Sequence, residues 1–270
     1  MVMNLKKGIK NLLKLVAGAE IFTGAAAMSF YIITSFFPFL CMVFITAAVL
    51  SLNVGELYDY IIYFFPAYVT QIIRDVLGNL TGEKTVIALL GFISLWTMSG
   101  ALMTATKAMN RLYGITENRN FVVLRLNAAF YALLFMILIL ATMAMSVFGK
   151  TIAHTVENLL PGHTFTRLWK GSRNIFLVTI VLFFLVCFYR YIPGCRQKVL
   201  SVVPGAAVST VVWLTYSRLF AFYVDNFSKY HILYGSIAGI IILLSWIYLT
   251  SFVILTGCAI NVLFEKKKNL

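Results

Sequence analysis

Few side chains in this sequence could do chemistry, and their spacing argues against most reactions. The three histidines, His154, His163 and His231, form no HxH or HExxH pattern and no Cys/His cluster, so no metal ligand set is expected. There is no GxSxG elbow, P-loop or dinucleotide-binding glycine pattern either. His154 and Glu157 stand three residues apart and could meet on a helix, but as an ordinary surface pair. Cys41, Cys187 and Cys258 lie inside apolar runs, and Cys195 follows Pro193-Gly194, which points to free thiols. No catalytic residue, metal or cofactor is predicted, and the chain is not expected to be an enzyme. What remains is a set of groups suited to hold an anion: Lys107, Asn110, Arg111, Arg125, Tyr189 and Arg190. Cations gathered at a membrane surface can bind a phosphate head group. Anchoring by the positive-inside rule accounts for each cation singly, so only their gathering in space would make a site.

The elements that position these groups must be membrane helices. Of 270 residues, 61% are hydrophobic and 11% charged, with a mean hydropathy of +0.91, whereas a soluble domain carries about 25% charge. Such a chain cannot cover a globular surface facing water on all sides. Charge is absent from residues 21–55, 85–106, 126–149, 174–189, 199–217 and 230–264, and about 20 apolar residues cross a bilayer. The fold class expected is all-α, a polytopic integral membrane protein with six transmembrane helices and amphipathic interfacial helices. The membrane domain covers residues 20–265, with spans near 28–52, 85–106, 126–149, 172–191, 199–218 and 236–262. The fourth is short, so Arg173 and Arg190 should snorkel to its ends. Pro38 should kink the first.

Residues 1–19 read as a cytoplasmic, basic amphipathic helix. Leu5, Ile9, Leu12, Leu13 and Val16 repeat at helical spacing, with Lys6, Lys7, Lys10 and Lys14 largely opposite. Glu20 interrupts the apolar stretch, which a signal peptide would not tolerate. Similar stripes flank Pro66, over Leu57–Phe65 and Val69–Leu80, and read as a covering helix or, functionally, as an interfacial lid. Residues 266–270 are a basic cytoplasmic tail.

The net charge of +13 is unevenly placed. Six spans put 14 Lys and Arg with three acidic residues on the side holding the termini, and eight with six on the other. That is +11 against +2, which places both termini in the cytoplasm. Basic residues that bracket spans fit anionic lipids of the cytoplasmic leaflet, so membrane lipids are the expected partners. Nucleic acid is not expected, because no single element interleaves cations with aromatics.

Small residues predict how the helices pack. Thr97, Ala101 and Ala105 form one strip, and Gly100, Thr104 and Ala108 an adjacent one. Ala25 with Ser29 serves the first span, and Gly235 with Gly239 makes a GxxxG in the last. Pro204-Gly205 is expected in the opening turn of the fifth span, and Pro193 ends the fourth. No Asp, Glu, Lys or Arg falls at the centre of a span, which argues against a proton relay. Hydroxyls (Ser29, Tyr31, Ser35, Ser99, Thr104, Ser245, Tyr248 and Ser251) could line a cavity instead, although each first reads as a packing group.

Five blocks in order carry a resemblance. They are Ala25-Ala26-Ala27-Met28-Ser29-Phe30-Tyr31 through Ser35-Phe36-Phe37-Pro38, then Leu95-Trp96-Thr97-Met98-Ser99-Gly100 with Met109-Asn110-Arg111-Leu112-Tyr113-Gly114. Tyr189-Arg190-Tyr191-Ile192-Pro193 and Val203-Pro204-Gly205-Ala206 follow. The last runs from Tyr230 through Tyr234-Gly235-Ser236 and Trp246-Ile247-Tyr248-Leu249 to Gly257-Cys258-Ala259-Ile260-Asn261. In these the chain resembles the YihY/BrkB family of bacterial inner-membrane proteins, formerly labelled ribonuclease BN. The resemblance covers roughly Glu20 to Glu265 and implies a six-helix protein of the bacterial cytoplasmic membrane. Ala259 stands where the family usually has an acidic residue. The reading favoured at this level is a transporter or flippase of a lipid-like substrate. The alternative is a structural or envelope-assembly protein, and ribonuclease activity is disfavoured.

Overall fold

A computed structural model describes residues 2–49, 84–159, 164–227 and 237–268 as helices, with the loops 114–120 and 192–198 between them. Side-chain surroundings are described for residues 10–43, 45–46, 85–140, 178–223 and 240–265. The stripes flanking Pro66, His163, His231 and Gly235 lie outside the described residues. So do the side chains of His154, Glu157 and Arg173.

Seven helices and no strand occur among the described residues: α1 (Val2–Gly18), α2 (Ile21–Val49), α3 (Lys84–Tyr113), α4 (Phe121–Leu159), α5 (Thr164–Tyr191), α6 (Val199–Phe227) and α7 (Ile237–Lys268). Within a bilayer every backbone N–H must find its partner inside the segment, so uncharged runs of this length become helices. Five of them are long and apolar enough to cross: Ile21–Val43, Thr85–Tyr113, Phe121–Leu140, Val199–Tyr223 and Ile240–Glu265. In α5 the apolar stretch Val178–Tyr191 is shorter, because Arg167, Lys170 and Arg173 occupy its first half, yet its 28 residues extend about 42 Å. Large apolar side chains such as Phe30, Leu126, Phe183, Leu200 and Val211 face outward, as lipid-facing surfaces require.

The bundle closes around α7, which touches α1, α2, α3 and α6, while α2 and α3 form the most extensive pair. Small residues permit that approach. Ala25, Ala101, Ala105 and Ala108 are buried, and a Cβ on Gly100 would come within 2.7 Å of the Tyr31 ring. The helix α2 runs on through Pro38, with the following Phe39 and Leu40 buried.

At the other end of α2, Glu20 takes a left-handed φ of 52°, which turns the chain from α1 into α2. Val16 and Ala19 are buried there while Lys10 and Lys14 are exposed. The basic helix is thus docked on α2 and α7.

One detail departs from expectation. Because α6 begins at Val199, Pro204 lies in its second turn rather than its first. A proline there removes one helix N–H and disturbs the ladder. The following Gly205 N–H donates to Asn261 Oδ1 of α7 at 2.6 Å.

Candidate functional site

That proline marks a tight crossing of α5, α6 and α7. Asn261 is buried and accepts from Gly205, while its Nδ2 has no partner among the described residues. Gly257 of α7 sits opposite. A Cβ on it would overlap Ser209 Oγ and Tyr189 Oη, and a Cβ on Gly205 would overlap the Gly257 carbonyl. Tyr189 is fully buried; its hydroxyl donates to the Ile254 carbonyl at 2.7 Å and lies 3.0 Å from Ser209 Oγ. Glycines bring the backbones together, and the tyrosine ties all three helices in a medium that offers no water.

One helical turn away the same helices diverge around a cavity of about 620 Å³. Phe39, Met98, Phe135, Phe184, Trp213 and Trp246 are among its walls, drawn from α2 through α7. Of the hydroxyls that offered an alternative lining, most turn into their own helices, in line with the packing reading. Ser29, Ser99, Thr104 and Ser245 donate to carbonyls three or four residues back. Ser35 reaches the cavity but donates to Ile32 O and contacts Met98 Sδ at 3.8 Å. Thr250 at the wall is engaged as well, receiving Trp213 Nε1 at 3.3 Å and lying 2.9 Å from Tyr216 Oη. Such a cavity gives water few polar partners and suits an apolar guest.

The six anion-binding candidates do not form one cluster. Asn110 is only 2% exposed and serves as a clamp. Its Nδ2 donates to Glu117 Oε2 at 2.6 Å, and its Oδ1 accepts the Gly194 N–H at 2.7 Å. Arg119 completes the clamp with two bonds of 2.7 Å to Glu117. Those bonds from the Arg119 guanidinium, chiefly, hold the Glu117 carboxyl below its usual range. Arg111 pairs with Glu20 across the α1–α2 turn. Tyr189 belongs to the crossing. Arg190 lies over the Tyr191 ring at 5.3 Å, and its buried Nε has no partner among the described residues. Lys107 is exposed.

Arg125 stands apart, its guanidinium 4.3 Å from the centre of the Trp96 ring and bonded to the Trp96 carbonyl at 2.7 Å. Sequence reasoning missed Glu117 and Arg119; a carboxylate two residues before a guanidinium in a short polar loop was the available signal. It also missed Gly257 and Ser209, whose roles depend on a crossing angle that no local pattern encodes. Among the described residues no three of His, Cys, Asp and Glu come together as a metal site.

Comparison with known proteins decides the family. The model described as "Virulence factor BrkB" matches residues 13–270. The chain belongs to the BrkB family. It is 29% identical over 251 residues to the ribonuclease-like protein YfkH of Bacillus subtilis (strain 168), covering 91% of this chain and 90% of that protein. A UPF0761 membrane protein of Alteromonas mediterranea is 25% identical over 210 residues, covering 74% of this chain and 68% of the relative. One from Chlorobium luteolum is 27% identical over 253 residues, covering 89% of this chain and 56% of the relative. No solved structure matches the chain. Family and fold therefore agree on a polytopic membrane protein.

Proposed function

We propose that this BrkB-family protein binds and translocates an amphipathic, lipid-like molecule whose apolar part occupies the central cavity. The observation that carries the reading is the apolar, partly open cavity of about 620 Å³ walled by six helices, a volume on the scale of small-molecule sites. Arg111, Lys107 and the clamp of Asn110 border the end of the bundle where the basic residues concentrate. On this reading, they meet the anionic leaflet of a bacterial cytoplasmic membrane, with both termini inside.

Proteoliposomes carrying fluorescent lipids test the transport. Protein-dependent exchange between leaflets is expected, and Val181→Phe, which extends a ring from a half-buried position of the cavity wall, should abolish it. Absence of exchange, together with no quenching of Trp213 and Trp246 by brominated acyl chains, would sink the idea. Orientation has its own test. Cys195 is free and exposed in the loop after α5, so an impermeant maleimide should label it in inside-out vesicles and not in intact cells.

A structural role without transport is favoured by one observation: Asn110, Arg111 and Tyr189 are all engaged in contacts between elements. It predicts no lipid exchange and unchanged stability on filling the cavity.

A further inference from the structure

The loop after α3 does not simply turn over. Asn110 holds Glu117 at 2.6 Å, so residues 114–120 double back along α3 before α4 begins at Phe121. The result is a large axial offset. Arg125 is in the second turn of α4, yet the carbonyl it bonds belongs to Trp96, 17 residues before the end of α3. That is about 25 Å along the helix. Trp96 lies at the middle of the uncharged run 85–106, so the guanidinium sits at the depth of the hydrocarbon. In sequence Arg125 belongs to a cytoplasmic loop.

An arginine free to choose would snorkel toward the nearer water. This one is held against α3, stacked on an indole that is itself 53% exposed. Its Nη2 bonds the Trp96 carbonyl, which also accepts Ser99 Oγ at 2.7 Å. Among the described residues its buried Nε has no partner and no carboxylate pairs with it. Phe92, which stacks on Trp96, and Val122, Leu126 and Phe130 in the first three turns of α4 are exposed. Neither Arg125 nor Trp96 lines the central cavity, so this is a separate place on the outer flank.

We propose that the α3–α4 flank is a lateral binding site for an anionic phospholipid, with Arg125 holding the phosphate and Trp96 fixing the guanidinium plane. A free phosphate would have to leave water to reach it, whereas a lipid brings its phosphate with chains that match the apolar rim. Arginine suits a phosphate through its fork of N–H donors, and an ionisable group inside the membrane marks a functional position.

The test is native mass spectrometry of the full chain released from mixed phosphatidylglycerol and phosphatidylcholine nanodiscs. Thermal unfolding with added lipid or inorganic phosphate accompanies it. The expected result is retained phosphatidylglycerol that falls about tenfold in Arg125→Gln, the loss of one charge-assisted contact. Arg125→Lys should retain an intermediate amount, because a single point charge replaces the fork. Phosphatidylcholine retention should not respond to either change. Equal phosphatidylglycerol retention in folded Arg125→Gln and native protein overturns the proposal. So does stabilisation by inorganic phosphate as strong as by the lipid, which would assign a free-anion site. The cavity reading is kept separate by Val181→Phe on α5, which should leave this lipid bound. If the lipid is lost there and kept in Arg125→Gln, the lateral site is wrong and the cavity reading stands.

Discussion

The crossing at Gly257 is built by α5, α6 and α7, and these three of the six helices around the cavity beside it supply both regions from residues that adjoin in sequence. Phe188 faces the cavity and Tyr189 the crossing; Val253 and Ile254 line the one and Gly257 the other. What differs is side-chain size and polar tethering. At the crossing, glycines remove the spacers and a buried hydroxyl network locks the approach. At the cavity, rings hold the helices apart, and Trp213 and Trp246, 6.3 Å apart at 60°, are kept at the wall. The Trp213 N–H is bonded to Thr250, and the Trp246 carbonyl accepts Tyr216 Oη at 2.7 Å. A membrane bundle has no hydrophobic drive to close such a space, since lipid is as apolar as leucine. Packing is therefore decided locally, by which residues meet.

The largest expected effect breaks the crossing. Gly257→Ala places a methyl where Ser209 Oγ and Tyr189 Oη already are, and overpacking of this kind costs about 3 kcal/mol. In contrast, Val181→Leu adds one methylene at a half-buried position of the cavity wall and should change stability by less than about 1 kcal/mol. Thermal unfolding of both variants in detergent measures the contrast. Equal losses would mean that the cavity and the crossing are equally packed, and the distinction would fail.

Next in size is the clamp of the two loops. Asn110→Ala leaves the Gly194 N–H and Glu117 without their buried partner, a loss of about 2 kcal/mol. It should also free Cys195 for faster alkylation, which the rate of maleimide labelling reads directly. Unchanged stability would show that water replaces the side chain at no cost.

These two regions differ in how far the sequence revealed them. The spans, the docked basic helix and the small-residue strip of Ala101 and Ala105 follow from hydropathy and spacing, because one helix suffices to express them. Tyr189 and Gly205 stood out as well, the one as a candidate to hold an anion and the other beside Pro204 at the opening of a span. Their joint role did not, since Tyr189, Ser209, Gly257 and Asn261 meet only through the relative rotation of three helices. Arg125 is the sharpest case. Its place in the sequence is a loop, and a backfolded seven-residue connection held by Asn110 carries its head group to the middle of the neighbouring span. Charge counting along the chain assumes that each loop stays outside the membrane.

A smaller effect is set by pH at the clamp. The Glu117 carboxyl is held below its ordinary value by Arg119 and, to a lesser degree, by Asn110. A carboxylate lowered on folding stabilises the fold at neutral pH and down to the unfolded value near about 4.3. That contribution is lost as pH falls through the lower, folded value. Native protein should therefore lose stability below about pH 4 more steeply than Glu117→Gln. Melting temperature recorded from neutral to acid separates the two curves. Parallel curves would mean that Glu117 is no better held folded than unfolded.

The smallest change probes the cavity wall itself. Thr250→Val keeps the shape of the side chain and removes the hydroxyl that tethers Trp213 and contacts Tyr216. One hydrogen bond of this type is worth about 1 kcal/mol, so global stability should hardly move. The tethers act instead on position: released, the Trp213 ring can turn into the space it now borders. Quenching of tryptophan fluorescence by brominated acyl chains should then fall, because the ring competes with the chain for the cavity. If quenching is unchanged while stability drops by the full hydrogen-bond value, the tether only supports the fold. The cavity would then persist because its bulky walls cannot interdigitate, with or without hydrogen bonds to hold them.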